Sequence, residues 1–139
     1  MAMKTLAATA PCPCARLVGR KPQNYGQCCG RFLDGDQSAP DAESLMRSRY
    51  SAFVLEREAY LLQTWHPSQR PVTVEFEPGV KWLGLEVRDA VLTDATHAEV
   101  EFVARQKPTS GAAIRLHERS RFVQEGGRWL YVDGDLRGA

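Results

Sequence analysis

Residues 11–30 read Pro11-Cys12-Pro13-Cys14-Ala15-Arg16-Leu17-Val18-Gly19-Arg20-Lys21-Pro22-Gln23-Asn24-Tyr25-Gly26-Gln27-Cys28-Cys29-Gly30 and contain all 4 cysteines of the 139-residue chain. The thiols come as two close pairs, Cys12-x-Cys14 and Cys28-Cys29, joined by a polar loop. That set suits a tetrahedral zinc ion, each pair giving two sulfurs from one edge. Adjacent cysteines resist bonding to each other because the ring is strained. A disulfide or redox-active set and unrelated free thiols are the other readings, and the absence of a Cys-x-x-Cys pair weakens the redox one. The expected cofactor is Zn2+ on Cys12, Cys14, Cys28 and Cys29. Four thiolates close its shell, which makes the site structural rather than catalytic, and the metal supplies order that a segment this short cannot draw from apolar burial.

Composition bounds the rest. A hydrophobic share of 43% and a charged share of 25% fit a soluble globular domain and exclude disorder over the whole length. A net charge of +1 argues against a general nucleic-acid binder. No apolar run reaches the length of a membrane-spanning helix. The weakly apolar residues 5–10 are too short for a secretory signal. The expected compartment is the cytoplasm, where reduced thiols favour metal over disulfide. Charge is uneven: Lys4, Arg16, Arg20, Lys21 and Arg31 precede Asp34 with no Asp or Glu among them. Four thiolates on zinc carry a formal charge of about −2, which these cations would offset. A solvated basic tail is the compatible alternative.

Residues 34–40, DGDQSAP, read as a linker, which divides the chain into a zinc-binding segment, 1–34, and a second domain, 35–139. Asp41 is a good N-cap, and Leu45, Met46, Tyr50, Phe53 and Val54 recur at helical spacing. A second helix is expected over 56–64, stopped by His66-Pro67. The remainder alternates as strands: weakly over 72–76, then over 80–90 with a bend at Gly84, over 97–105, over 112–124, and over 128–133 after the Glu125-Gly126-Gly127 turn. Helices followed by antiparallel strands make an α+β fold.

Glu118 falls on the apolar face of its strand, with Ile114, Leu116, Ser120 and Phe122. A buried carboxylate needs a partner, so the expectation is an ion pair with Arg47 or Arg49 on the first helix, with Tyr50 as a donor. A pocket acid or an exposed Glu118 are the alternatives. His97 and His117 fall on the opposite faces and are expected to be exposed. Core packing is the plain reading of the aromatic residues, and a histidine packed at a turn is that of His66. The other is a cavity lined by Tyr50, Trp65, His66, Trp82, Glu118 and Tyr131. No nucleophile elbow, phosphate-cradling loop or His-Glu-x-x-His helix is present, and no catalytic residue is expected.

Cys12-Pro13-Cys14 with Cys28-Cys29-Gly30 resembles the SEC-C motif, the zinc-binding element at the C-terminus of the SecA translocation ATPase. Residues 45–50 (LMRSRY), 64–68 (TWHPS), 82–85 (WLGL), 117–122 (HERSRF) and 129–134 (WLYVDG) together resemble the YchJ family of bacterial proteins. SEC-C motifs usually have Gly-Ser-Gly after the second cysteine and a shorter spacer, whereas this chain has Ala15-Arg16-Leu17-Val18 and a longer loop. Loop length costs little in closure entropy. The resemblance implies a SEC-C element followed by a nuclear transport factor 2-like cone, helices wrapped in a curved antiparallel sheet, and it assigns no reaction. The function expected is a protein-interaction or adaptor role through the basic zinc element, toward another protein or a ribosome-like polyanionic surface. Sequence-specific nucleic-acid binding and membrane insertion are not expected, and the sheet face leaves room for a homodimer. The competing class is a small-molecule binder or enzyme using the cone cavity, with His66, Glu118 and Tyr131 as its polar groups.

Overall fold

The computed structural model describes residues 4–137. Residues 1–3 and 138–139, the outer ends of the two expected segments, lie outside the described residues. The cysteine spacer is folded. Strands β1 (Leu17–Val18) and β2 (Lys21–Pro22) pair antiparallel. Gly19, at φ +66°, turns the chain between them in a region that glycine enters without steric cost. A 3-10 turn (Tyr25–Gln27) and the short helix α1 (Gly30–Leu33) follow. The expected polar loop is therefore a hairpin and a turn. Strands of two residues are too short to show any alternation.

Helix α2 (Ala42–Val54) starts as its sequence dictates: the Asp41 carboxylate accepts from the Ser44 backbone N–H at 2.7 Å. Leu45, Met46 and Tyr50 are buried, and so are the small Ser48, Ser51 and Ala52 on its other faces, so little of the helix meets water. It ends when the Arg57 N–H reaches back to Ala52 O at 2.8 Å and Glu56 takes φ +57°. That left-handed residue delays the second helix, expected from 56, to α3 (Glu58–Gln63).

Four strands, β3 (Lys81–Asp94), β4 (His97–Lys107), β5 (Ile114–Glu125) and β6 (Arg128–Leu136), form one antiparallel sheet in sequential order. Ala98, Val100, Phe102 and Ala104 of β4 lie opposite Phe122, Ser120, Glu118 and Leu116 of β5 and make the inner face. Register shifts at Trp82/Gly84, Val87/Asp89 and Leu92/Asp94 interrupt β3, and one at Arg121/Phe122 interrupts the β5–β6 pairing. Such irregularities bend strands and increase their twist. The strand expected over 72–76 does not form. Val72 is 93% exposed, the Val74 N–H is taken by Glu58 Oε2 at 2.9 Å, and Phe76 packs edge-on against Phe53.

α2 packs on β3, β4 and β6. The cluster it forms with Val100, Phe102, Phe122 and Trp129 also contains Cys12, Cys14, Tyr25, Cys28, Cys29 and Phe32. The segments read from sequence as 1–34 and 35–139 thus share one core. The residues expected as a linker help to join them: Asp34 accepts from Tyr25 Oη at 2.8 Å and from Arg57 Nη1 at 2.5 Å, while Arg57 Nε donates to Lys4 O at 2.9 Å. The outer sheet face carries paired charges. Arg119 meets Asp89, Glu99 and Glu101, and Arg121 meets Asp133 and Asp135. His97 is exposed as expected, but His117 is largely covered and bonded to Glu101 at 2.8 Å.

Burial pushes the Asp34 carboxyl upward, but the hydrogen bonds from Arg57 and Tyr25 outweigh it and hold the pKa below the ordinary aspartate value. Its contribution is therefore present above the unfolded value of about 3.9 and is lost as pH falls through the lowered folded value. Asp34→Asn should cost about 1–3 kcal/mol at neutral pH, because Arg57 is only 8% exposed and loses its charge partner. It should also flatten the acid limb of the stability curve. Thermal melts of both proteins from neutral to acid pH check this, and parallel curves would contradict it. In urea titrations, Phe122→Ala should cost about 3–5 kcal/mol, whereas Leu92→Ala, at a residue 68% exposed, should stay within about 0.5 kcal/mol.

Candidate metal centre

Backbone pairing brings the two cysteine pairs together. Cys12 N donates to Gln23 O, Tyr25 N to Ala10 O, and Gln23 N to Arg16 O, which lays residues 10–12 beside 23–25. Ala15 N closes a turn on Cys12 O and points Cys12 and Cys14 the same way. On the other side, Cys28 N is bonded to Tyr25 O, and Cys29 O accepts from Phe32 N and Leu33 N at the head of α1. Gly30 is needed there because a Cβ would run into the Tyr25 carbonyl and ring.

The four sulfurs lie within 4.8 Å of one another, and all four cysteines are buried. Cys12 Sγ to Cys14 Sγ and Cys14 Sγ to Cys28 Sγ are both 3.6 Å. A zinc–sulfur bond of about 2.3 Å implies a tetrahedron edge of about 3.8 Å, so the donor set fits the ion that the sequence suggests. The same distances far exceed a disulfide bond of about 2.0 Å, and all four cysteines are free. Hydrogen bonds from Cys14, Cys28 and Cys29 drive the Cys12 thiol well below its ordinary pKa, while those among the same sulfurs, together with burial, drive Cys29 well above. Four buried sulfurs therefore cannot ionise together without a cation among them, and a divalent metal supplies that charge.

The surroundings hold the ligand backbone. Ser51 Oγ lies 3.7 Å from Cys12 Sγ. Arg47 Nη1 donates to Cys14 O at 3.1 Å, and Arg31 Nε to Cys28 O at 3.0 Å. Arg16 Nη1 reaches Ser44 Oγ at 2.9 Å. Two of the cations that precede Asp34, Arg16 and Arg31, thus tie down the site or its approach to α2, while Arg20 and Lys21 are exposed at the hairpin.

Between α2 and the inner sheet face lies a second feature, a cavity of about 230 Å³ partly open to solvent. Tyr50, Trp65, Trp82, Glu118 and Tyr131 line it, along with Arg49 and apolar side chains. His66 does not. Its ring bonds Ser68 and Glu125 on the outside, because the His66 N–H is fixed to Tyr131 O and the side chain turns away. The ion pair expected for Glu118 does not form either. Arg47 pairs with Glu43 at 2.8 Å. Arg49 Nη1 donates to Leu61 O at 2.8 Å and Thr64 Oγ1 at 2.7 Å, with its guanidinium 4.9 Å over the Trp65 ring and 4.7 Å over the Tyr131 ring. The carbonyls at the end of α3 compete successfully for it. Burial lowers its pKa to about 10. Glu118 accepts instead from Ser120 Oγ at 2.5 Å and Tyr131 Oη at 3.2 Å. Ser120 and Thr64 were not singled out from sequence. Ser120 had a signal, a hydroxyl within an apolar alternating row, while Thr64 had none.

The chain is similar in sequence and in fold to known proteins. A UPF0225 protein of a Polaromonas species is 67% identical over 131 residues, covering 92% of this chain and 94% of its own length. A UPF0225 protein of Bordetella pertussis is 56% identical over 139 residues, covering 96% and 98%. The solution structure of a SEC-C motif containing protein from Rhodopseudomonas palustris superposes with a TM-score of 0.73 at 31% identity, covering 85% of this chain and 95% of that one. The crystal structure of another SEC-C motif containing protein, from Psychrobacter arcticus, gives 0.76 at 29% identity, covering 95% and 85%. The family model described as the YchJ middle NTF2-like domain matches residues 41–134, and the chain belongs to the YchJ family.

Proposed function

We propose that Cys12, Cys14, Cys28 and Cys29 hold one structural zinc ion, and that the element it stabilises docks a partner protein. Burial of all four ligands in the core shared with α2 supports a structural ion over a catalytic one, since a catalytic ion keeps an open position. The observation that carries the docking is the hairpin tip. Leu17 is 57% exposed and Val18 61% exposed, beside Arg20 and Lys21, with no acid before Asp34. Apolar side chains held out in a cationic setting suit an acidic protein surface that contains an apolar patch. A thiol cluster of this kind needs a reducing compartment, which favours the cytoplasm. No helix among the described residues is long and apolar enough to cross a membrane.

The cavity favours a second reading at a separate surface. It brings Glu118 and Tyr131 into one largely apolar space without His66, which suits binding of a small molecule.

Protein purified without chelator should contain one zinc per chain, and four thiols should become titratable when the metal is removed. Cys14→Ser should lower zinc affinity by more than the roughly 10–100-fold that changes outside the ligand shell produce. Metal analysis and thiol titration check both, and metal-free protein with four freely reactive thiols would sink the zinc assignment. For docking, the double variant Leu17→Ser/Val18→Ser should keep its zinc yet lose proteins crosslinked to the wild type, those lost having acidic contact surfaces. Equal crosslinking by zinc-loaded wild type and variant would overturn the docking. Deleting 1–34 is a poorer test, because it would strip Tyr25 and Phe32 from the common core.

A further inference from the structure

Two opposite charges, Arg49 and Glu118, line the cavity without pairing with each other. Arg49 is 6% exposed, yet among the described residues only its Nη1 has acceptors, and Nε and Nη2 donate to none. Trp65, on whose ring the guanidinium stacks, has an indole N–H that is buried with no acceptor. Glu118 receives both its hydrogen bonds on Oε2, and its Oε1 accepts none among the described residues. The two charged groups share the cavity wall, but no Arg49 nitrogen comes within 4.0 Å of a Glu118 oxygen. Aromatic rings of Tyr50, Trp82, Phe102 and Phe122 fill most of the remaining wall.

Desolvated charges are stable when their donors and acceptors are filled. A structural role for Arg49 explains its Nη1 bonds and its stacking but leaves Nε and Nη2 unused. Resting on the ligand-cavity reading above, we propose that the cavity takes a small zwitterion with an apolar body, its carboxylate on Arg49 and its ammonium on Glu118. A simple anion would meet Arg49 and be repelled by Glu118. A simple cation would do the reverse, and a purely apolar guest would leave Arg49 Nε and Nη2 and Glu118 Oε1 without water or partner. The size agrees. A volume of about 230 Å³ corresponds to roughly eight water molecules at about 30 Å³ each, below the range of drug-sized sites and suited to a free amino acid with an aromatic or branched side chain.

Trp65 and Trp82 line the cavity, so tryptophan fluorescence reports its occupancy, and calorimetry gives an independent measure. The full-length zinc-loaded chain would be titrated with L-phenylalanine, phenylpropionate, phenylethylamine and benzyl alcohol. L-phenylalanine should bind at least about tenfold more tightly than each of the other three, as one charge-assisted hydrogen bond is worth that much. Arg49 also carries bonds to α3, so the variant of choice is Glu118→Gln, whose amide oxygen still accepts from Ser120 and Tyr131. It should lose about tenfold or more for L-phenylalanine while binding phenylpropionate as well as the wild type or better. If phenylpropionate or benzyl alcohol matches L-phenylalanine, or Glu118→Gln leaves L-phenylalanine binding intact, the zwitterion assignment falls and the ligand cavity stands. If no probe changes either signal, both fall.

Discussion

The structure depends on where the four sulfurs are buried. They do not sit in a lobe of their own but in the apolar cluster that contains Leu45, Met46 and Phe122. Thiols packed that closely cannot all ionise in a low-dielectric setting unless a cation lies among them. The hairpin and α1 carry the sulfurs to that position, and α2 packs on the same cluster. Arg47 and Arg31 bind the carbonyls of Cys14 and Cys28 rather than the sulfurs, so they fix the ligands in place without competing for them.

The sheet is organised around a second constraint. Glu118 and Ser120 interrupt the apolar row of β5 on its inner face, and its outer face carries rows of charged side chains around the buried Val103. The outer charges satisfy one another across strands, as the Arg119 and Arg121 clusters show. The inner ones do not. Arg49 is held by α3 and by two rings, Glu118 by its own strand and by β6, and the space between them stays open.

Much of this was legible in the sequence, for definable reasons. The cysteine pairs, the Asp41 cap and the alternation of β4 and β5 are local signals, and each appears where its residues put it. Glu118 was correctly placed on the inner face because period-2 alternation leaves no choice of side. Its partner was not legible, since that depended on whether Arg49 pointed to the sheet or to the end of α3, and the Leu61 carbonyl decided it. His66 packs at its turn, the plainer of its two readings, and the pocket reading fails because proximity to Trp65 in sequence does not survive the pairing of its backbone with Tyr131. The joining of 1–34 to the rest was hidden because DGDQSAP has the composition of a linker, and only the contacts of Asp34 with Tyr25 and Arg57 reveal its role.

The attachment of Lys4 to the Leu55–Arg57 corner has an implication for synthesis. The thiol set is complete once residue 29 has left the ribosome, and its internal pairings, such as Cys12 with Gln23, are all local. The surface on which it rests, α2 and the Leu55–Arg57 corner that receives Lys4, is translated only afterwards. Local contacts form before long-range ones, so the nascent chain presents a nearly assembled chelating knuckle while its resting place is still unmade. Metal capture on the emerging polypeptide would then template the docking of everything that follows.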